Sequence, residues 1–436
     1  MRPEKVFKRY DIRGGYPEEL DEEFAERLGK ALGKFTRENF SRRIVVCRDN
    51  KESSESLKQS LMDGLESSGM KIFDIEEGPT DYAAYLGKKH GCVSVQVTSS
   101  HMPFNFNGFK FMYPEGNGFV NEDLEQVKEN FRDQNFVEDE GLVREMSSTS
   151  MQRYKDNLKM TAMRNSSATI DKKIVIDTMG GATRKVLPDL LDNLGATVID
   201  LADEKEEMPY RDPPNPKPEN LDELVEKFEE EDADLGIATD MDGDRVTVYH
   251  DGEFLSGDDV FCIFGQLVGG DSVASIDTSG ALEEMMDDRG NDVFYTRVGD
   301  PFVMDKALEE KVDFAGEPNG HYSVLDFVPY NSGTLTALMI AGTDIDQKME
   351  QVPFYSVKRD SVEVEDKDQV MKDLRSEFDE DDIVSEKDGL KVSMGYSTVL
   401  MRPSGSSEKI RVISEAREED TAEAGLEEAT DMIRNS

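Results

Sequence analysis

Apolar residues along this chain switch repeatedly between the helical and the strand period. Phe24, Leu28, Leu32 and Phe35 recur every three or four positions and predict one face of a helix. Ile44-Val-Val-Cys47 predicts a short buried strand, and Leu57, Leu61 and Leu65 mark a second helix. Val93-Ser-Val-Gln-Val97 predicts a further strand that runs into a polar loop. The alternation restarts at Lys173 with a strand over 173–177, a Gly180-Gly181 turn and a helix over 184–194. The run Asp212-Pro-Pro-Asn-Pro-Lys-Pro218 predicts a rigid extended connector, because proline excludes helix there. A helix over 221–229 then leads to two apolar strands, 233–238 and 246–249, around a polar loop.

A third unit starts near Gly257. It predicts helix 260–267, strand 272–277, helix 280–289, strand 293–297, helix 302–310 and strand 312–315. From about Pro353 the pattern changes to a helix over 369–378, strands at 389–392, 396–401 and 410–415, and a closing helix over 421–434. The expected architecture is α/β: three similar units with mixed or parallel sheets, and a smaller C-terminal α+β unit. The expected boundaries are 1–145, 146–252, 253–352 and 353–436. The three similar units share no sequence self-similarity from which a repeat follows.

Composition narrows the setting. Lys plus Arg number 51 and Asp plus Glu 94, a formal net charge of −43. Such a chain is repelled by nucleic acid and by anionic membranes, so neither is an expected partner. Periodicity persists throughout, so the charge does not signal disorder. A halophilic, high-salt cytoplasm that screens the self-repulsion accounts for it, and low salt should destabilise the fold. Cys47, Cys92 and Cys262 have no metal spacing and are expected to be reduced structural thiols of a cytoplasmic protein. No apolar stretch has the length of a membrane span or of a signal h-region.

Four loops carry candidate chemistry. Asp240-Met-Asp-Gly-Asp-Arg245 alternates three carboxylates between two strands and suits one hard divalent cation. Arg245 cannot ligate a metal and points instead to a phosphate, which its fork fits. An EF-hand is excluded, because Arg245 stands where that loop needs glycine and Asp251 where it needs glutamate. A merely solvated acidic loop remains the competing reading. Thr98-Ser-Ser-His-Met-Pro103, with Lys110 nearby, sets hydroxyls beside the imidazole of His101 and suits a phosphorylated or acylating nucleophile. Its plain alternative is a Ser/Thr turn. In Gly316-Glu-Pro-Asn-Gly-His321, the residues Glu317, Asn319 and His321 alternate, so an extended segment would project them together toward sugar hydroxyls. His321 would then be available for proton transfer. A polar hairpin with an exposed histidine is the alternative. Arg402-Pro-Ser-Gly-Ser-Ser-Glu-Lys-Ile-Arg411 offers hydroxyls, amides and two guanidiniums to a phosphate dianion, or is a simple turn.

With these four loops in this order, the chain resembles the α-D-phosphohexomutase superfamily, in particular its phosphomannomutase/phosphoglucomutase branch. Tyr10-Asp-Ile-Arg-Gly14, Gly257-Asp258 and Thr296-Arg-Val-Gly-Asp300 match as well. The resemblance implies four domains around a central cleft, with Ser100 as the phosphoserine. It implies Asp240, Asp242, Asp244 and a Ser100 phosphate oxygen as ligands of one Mg²⁺. Arg245, Lys110, His101 and His321 take catalytic positions. Tyr10, Arg13, Arg297, Glu317, Asn319, Arg402, Ser404, Gly405, Ser406 and Arg411 take substrate-binding ones.

The implied reaction interconverts hexose 1- and 6-phosphates, of mannose or glucose, through a hexose 1,6-bisphosphate that also serves as activator. The implied partners are small sugar phosphates, and the implied assembly is a monomer or homodimer. Glucosamine phosphate is the alternative substrate. An inactive mutase-like binding or regulatory protein is a further alternative, against which the intact Ser100, Lys110 and three aspartates speak. The chain departs from the family pattern at Met102, at Asn319 beside Pro318, at Ser407-Glu408 and at Asn331-Ser332-Gly333. Glu408 is expected to weaken anion binding unless it points away.

Overall fold

The structure is a computed structural model that describes residues 3–146, 148–202, 209–405 and 407–436. Its strands form four sheets in chain order. The first has six strands ordered Ile12–Gly15, Phe106–Met112, Val93–Val97, Arg43–Arg48, Lys71–Glu77, Leu142–Glu145. The second has five, ordered Glu253–Phe254, Val246–His250, Leu235–Thr239, Lys173–Asp177, Thr197–Asp200. The third has four, ordered Val293–Thr296, Ser272–Ser275, Phe314–Glu317, His321–Val324. In all three, parallel pairs join an antiparallel strand at one side, the mixed sheet that the alternating periods predict. The fourth sheet is antiparallel, ordered Ser356–Glu363, Lys409–Ala416, Ser397–Pro403, Leu390–Met394, Ile383–Ser385, and is backed by helices Lys367–Ser376 and Glu419–Asn435.

Local differences from the pattern have local causes. The helix expected over 184–194 is a short 3-10 turn, Ala182–Lys185, followed by Leu187–Asn193, with Pro188 in the first helical turn where its missing N–H costs nothing. The helix Gly333–Ala341 was not legible, because it is buried all round and so shows no amphipathic stripe. The first strand of the last sheet, Ser356–Glu363, is mostly polar and half exposed, and its alternation does not stand out.

One feature repeats in every sheet. A strand ends, a loop follows, and the chain returns as the antiparallel neighbour. Val97 pairs with Phe109, Thr239 with Val246, Glu317 with His321 and Pro403 with Ile410. The four chemically suggestive loops are the tips of these four hairpins. In the first three sheets the strand entering the loop also lies parallel to a neighbour, so the loops open at carboxyl ends of strands, where α/β sheets bind ligands.

A shared core links the first three units, while the strands of the first hairpin pack in a cluster of their own around Val97, Phe109 and Phe111. One continuous apolar cluster joins Val45, Cys47 and Tyr82 of the first unit, Tyr154, Ile174 and Leu235 of the second, and Phe261, Phe314 and Leu335 of the third. The last unit keeps a separate core around Leu374, Val399, Ile410 and Ala429. Its described links to the third unit include many polar ones, among them Arg359–Asp258 at 2.8 Å, Gly280 N to Glu415 Oε2 at 3.0 Å and Val298 N to Asp388 Oδ2 at 3.2 Å. Cys47, Cys92 and Cys262 are buried and free. Among the described residues no helix is long and apolar enough to cross a membrane.

Candidate active site

The first hairpin presents Ser100 with its backbone at φ 51°, the left-handed region that costs a non-glycine residue ~1–2 kcal/mol. The surroundings over-determine this geometry. Ser100 N donates to Thr98 Oγ1 at 2.9 Å, and that hydroxyl donates to the buried Asp49 at 2.6 Å. Lys51, also buried, sends its ammonium to Ser99 Oγ at 2.6 Å and to the carbonyls of Met102 at 2.8 Å, Pro103 at 3.2 Å and Phe106 at 3.3 Å. The Ser100 hydroxyl is thereby aimed across the domain boundary, donating to Asp240 Oδ2 at 2.8 Å, with His101 Nδ1 3.2 Å away. Burial, with help from Arg245 and Arg13, pushes His101 down to about 2, so its imidazole is neutral.

The second hairpin brings Asp240, Asp242 and Asp244 together. All three are buried, and one oxygen of each lies within 4.8 Å of the others. The bend needs Gly243 at φ 74°, and a Cβ there would lie 2.3 Å from Thr183 Cγ2. Thr80 clamps Asp242 through both its amide, 2.9 Å from the Asp242 carbonyl, and its hydroxyl, 2.9 Å from Oδ2. Lys110 bridges Asp242 Oδ2 at 2.7 Å and Asp244 Oδ2 at 2.6 Å. Burial, then Asp244 and Asp242, push Asp240 well above the carboxylate range. Burial works the same way on Asp244, but Lys110, His321 and Arg245 outweigh it and hold that group low. Asp242 Oδ1 is buried without a partner among the described residues. Three buried hard oxygen donors, one of them without a described partner, fit a divalent cation.

The third hairpin corrects one expectation. Glu317, Asn319 and His321 do not alternate along an extended segment. Pro318–Gly320 form a turn with Gly320 at φ 97°, and Glu317 faces His321 across the ladder. His321 is buried rather than exposed. Its Nε2 lies 3.2 Å from both Arg245 Nε and Asp244 Oδ1, so neutral it accepts from the arginine and protonated it donates to the aspartate. Burial works against the charged form, but Asp244 and Glu317 raise His321 to about 9. Gly299, at φ 129°, donates its N–H to Glu317 Oε1 at 2.8 Å.

Ser100, Lys110, Asp244, Arg245, Glu317, Asn319 and His321 line one cavity together with Tyr10 and Arg13. Arg13 reaches this wall in an ion pair with Asp11 at 2.6 Å. Asp11, Asp300 and Tyr330 also line it and were not among the residues singled out. Asp11 and Asp300 do stand in the matching runs Tyr10–Gly14 and Thr296–Asp300, whereas Tyr330 carried no signal. Two wider grooves elsewhere are lined by Asp171, Asp234, His250 and Asp346, and by Arg48, Glu52, Lys58 and Glu77; neither contains a nucleophile beside a cation site.

The other expected binding residues stand apart from this cavity. Arg297 stacks its guanidinium on the Phe302 ring at 3.5 Å. Arg402 faces Arg411 across adjacent strands and pairs with Asp388 at 3.4 Å. Ser404 is buried and Gly405 exposed at the tip of the fourth hairpin, while Ser406 lies outside the described residues. Asp388 of this last unit reaches the cavity rim, accepting from Val298 N.

The departures are accommodated. Met102 serves through its backbone carbonyl. Asn319 Oδ1 accepts from His321 N at 3.3 Å. Glu408 is exposed and pairs with Lys367 at 3.4 Å, which offsets the repulsion expected of it. Ser332 caps the helix Gly333–Ala341 and donates to Asp81 at 2.5 Å.

Comparison with known proteins agrees with this geometry. Family models for phosphoglucomutase/phosphomannomutase match domain I over residues 4–138, domain II over 151–252 and domain III over 256–351. A probable phosphoglucosamine mutase of Methanothermobacter thermautotrophicus is 31% identical over 433 residues, covering 96% of this chain and 95% of that protein. A phosphoglucomutase/phosphomannomutase of Thermococcus kodakarensis is 31% identical over 448 residues, covering 97% of each. The crystal structure of a phosphoglucomutase/phosphomannomutase family protein of Burkholderia thailandensis superposes with a TM-score of 0.86 at 23% identity, covering 99% of this chain and 96% of that one. The N-acetylphosphoglucosamine mutase of Aspergillus fumigatus, solved with GlcNAc-6P and magnesium, has a TM-score of 0.60 at 12% identity, covering 100% of this chain and 97% of that one.

Proposed function

The chain belongs to the phosphoglucomutase/phosphomannomutase family and is a phosphohexomutase, and from that premise we propose that it interconverts hexose 1- and 6-phosphates through a phosphorylated Ser100. The observation that carries this reading is the 2.8 Å contact between Ser100 Oγ and Asp240, which sets a buried hydroxyl against a buried triad of aspartates.

The chemistry follows from the neighbours. Phospho-Ser100 gives its phosphoryl group to the free hydroxyl of a sugar monophosphate, and a 1,6-bisphosphate forms. The sugar turns round, and its other phosphate returns to Ser100. Arg245 and Lys110 lie where charge accumulates on the phosphoryl oxygens in each transfer. Neutral His101, 3.2 Å from the hydroxyl, accepts the serine proton. When the phosphoryl group returns to Ser100, His321, charged at neutral pH, protonates the departing sugar oxygen. In the first transfer the roles exchange: neutral His321 takes the proton of the attacking sugar hydroxyl, and protonated His101 gives its proton to the departing serine oxygen. Asp240, Asp242 and Asp244 would hold one Mg²⁺, which when bound supplies positive charge to the phosphoryl oxygens.

Glu317 and Asn319 line the sugar's side of the cavity. Arg402 and Arg411, cross-strand neighbours, with Ser404, Gly405 and Ser406, suit the phosphate that is not reacting. That loop stands off the cavity on a unit with its own core, so closure of this unit on the substrate completes the site and excludes water that would hydrolyse phospho-Ser100. Hexose 1,6-bisphosphate is the expected activator, because it phosphorylates Ser100.

Mannose and glucose phosphates are one set of candidate substrates, and glucosamine phosphate is the other. The name of the Methanothermobacter relative favours the latter. The test is incubation at high salt with Mg²⁺, glucose 1,6-bisphosphate and each hexose 1-phosphate in turn, followed by ³¹P NMR. Conversion of at least one sugar is expected; none would refute the reading.

A further inference from the structure

Charges of both signs line the cavity: Asp11 and Asp244 stand with the cations of the first two units, and His321 stands with the carboxylates of the third. Arg13, Lys110 and Arg245 surround Ser100 on the first two units, whereas Asp300 and Glu317 belong to the third. The other carboxylates lining the cavity are already partnered. Asp11 pairs with Arg13, Asp244 with Lys110 and His321, and Glu317 accepts from Gly299 N. Asp300 differs: no described residue donates a hydrogen bond to its carboxylate, and none forms an ion pair with it. It opens the helix Asp300–Glu310 at the cavity wall, next to the Gly299 that orients Glu317.

An unpartnered carboxylate there repels a phosphoryl group, so it faces the sugar. Burial, and then nearby Glu317, raise Asp300 to about 6, against the lowering influence of His321 and Lys110. A neutral hydroxyl relieves that strain only by one hydrogen bond, whereas an ammonium relieves both the desolvation and the repulsion.

Resting on the mutase reading above, we infer that Asp300, seconded by Glu317, is a specificity-determining residue that selects 2-amino-2-deoxyhexose phosphates through their ammonium group over the 2-hydroxy sugars. The N-acetylated sugar, which has lost the charge, is disfavoured for the same reason.

The test uses the full chain with Mg²⁺ and glucose 1,6-bisphosphate. kcat/KM is measured for glucosamine 1-phosphate, N-acetylglucosamine 1-phosphate and glucose 1-phosphate, in the wild type and in Asp300→Asn. The wild type is expected to favour glucosamine 1-phosphate by at least tenfold over both others. In Asp300→Asn the glucosamine-to-glucose ratio should fall at least tenfold, chiefly through KM. A wild type that prefers glucose or the N-acetyl sugar overturns the inference without any variant, so it does not depend on how well Asp300→Asn folds. An unchanged ratio in a folded Asp300→Asn overturns it too. Turnover of none of these sugars, with no phosphate on Ser100, is a different result and removes the mutase reading itself.

Discussion

Ser100 Oγ and Asp240 Oδ2 lie 2.8 Å apart, although one belongs to the first sheet's hairpin and the other to the second's. The contact ties the proposed nucleophile of one domain to the candidate cation site of another, and neither residue alone identifies a reaction. Replacing Ser100 by alanine keeps the same backbone demand, since both residues pay equally for positive φ. Ser100→Ala should therefore remain folded, lose covalent labelling by radiolabelled bisphosphate, and lose turnover by roughly a thousandfold or more. Labelling that persists would mean that another residue carries the phosphate.

The buried and partnerless Asp242 Oδ1 predicts that Mg²⁺ stabilises the fold. At a hundredfold excess over Kd the gain is about 2.7 kcal/mol, visible as a rise in Tm that EDTA reverses. In Asp242→Asn that rise should be absent. A Tm indifferent to Mg²⁺ in the wild type would place the cation elsewhere.

Lys51 touches no substrate-facing atom in the cavity, yet its ammonium holds the loop that forces Ser100 into position. In Lys51→Met, kcat should fall roughly ten- to a hundredfold with KM nearly unchanged, because orientation of the nucleophile is lost while the binding wall stays. Lys51→Arg should recover part of the loss. A KM effect as large as the kcat effect would point to general unfolding instead.

Asp81 lies at the junction of three units, accepting from Tyr154 at 2.7 Å and Ser332 at 2.5 Å. Burial raises it to about 7, against the lowering effect of those two hydroxyls. The folded protein thus holds a proton that the unfolded chain has released above about pH 4. The contribution is present below that pH and is lost as pH rises through 7, by up to about 4 kcal/mol. Denaturant melts at pH 5 and pH 8 should show the wild type losing more stability than Asp81→Asn over this interval; parallel losses would assign the drop to other groups.

The net charge of −43 predicts a salt requirement. Raising KCl from low to molar concentration shortens the Debye length from about 30 Å to about 3 Å, which screens most of the self-repulsion. Tm should climb by several degrees. A melt unchanged across this range would remove the halophilic reading.

Much of this protein was legible in its residues alone. The switch between periods located most helices and strands, because half-buried elements must alternate apolar and polar faces. Where burial is complete, as in the helix Gly333–Ala341, that signal vanishes. The four loops were visible as chemistry because carboxylates, hydroxyls and glycines in short runs are costly unless something uses them. The aspartate spacing implied a cation, and the Ser100-His101 string a nucleophile. What local sequence does not encode is which loop faces which. Tertiary structure decided that, since an apolar cluster shared by the first three units packs them together and contacts between units, such as Ser100 to Asp240 and Lys110 to Asp242, set their hairpins on one cavity. It also decided that Glu317 and His321 oppose each other across a turn, that Lys51 and Asp49 brace the serine loop from beneath, and that Asp300 alone among the cavity carboxylates has no described partner. Such contacts join residues far apart in the chain, so they follow from packing rather than from any local pattern.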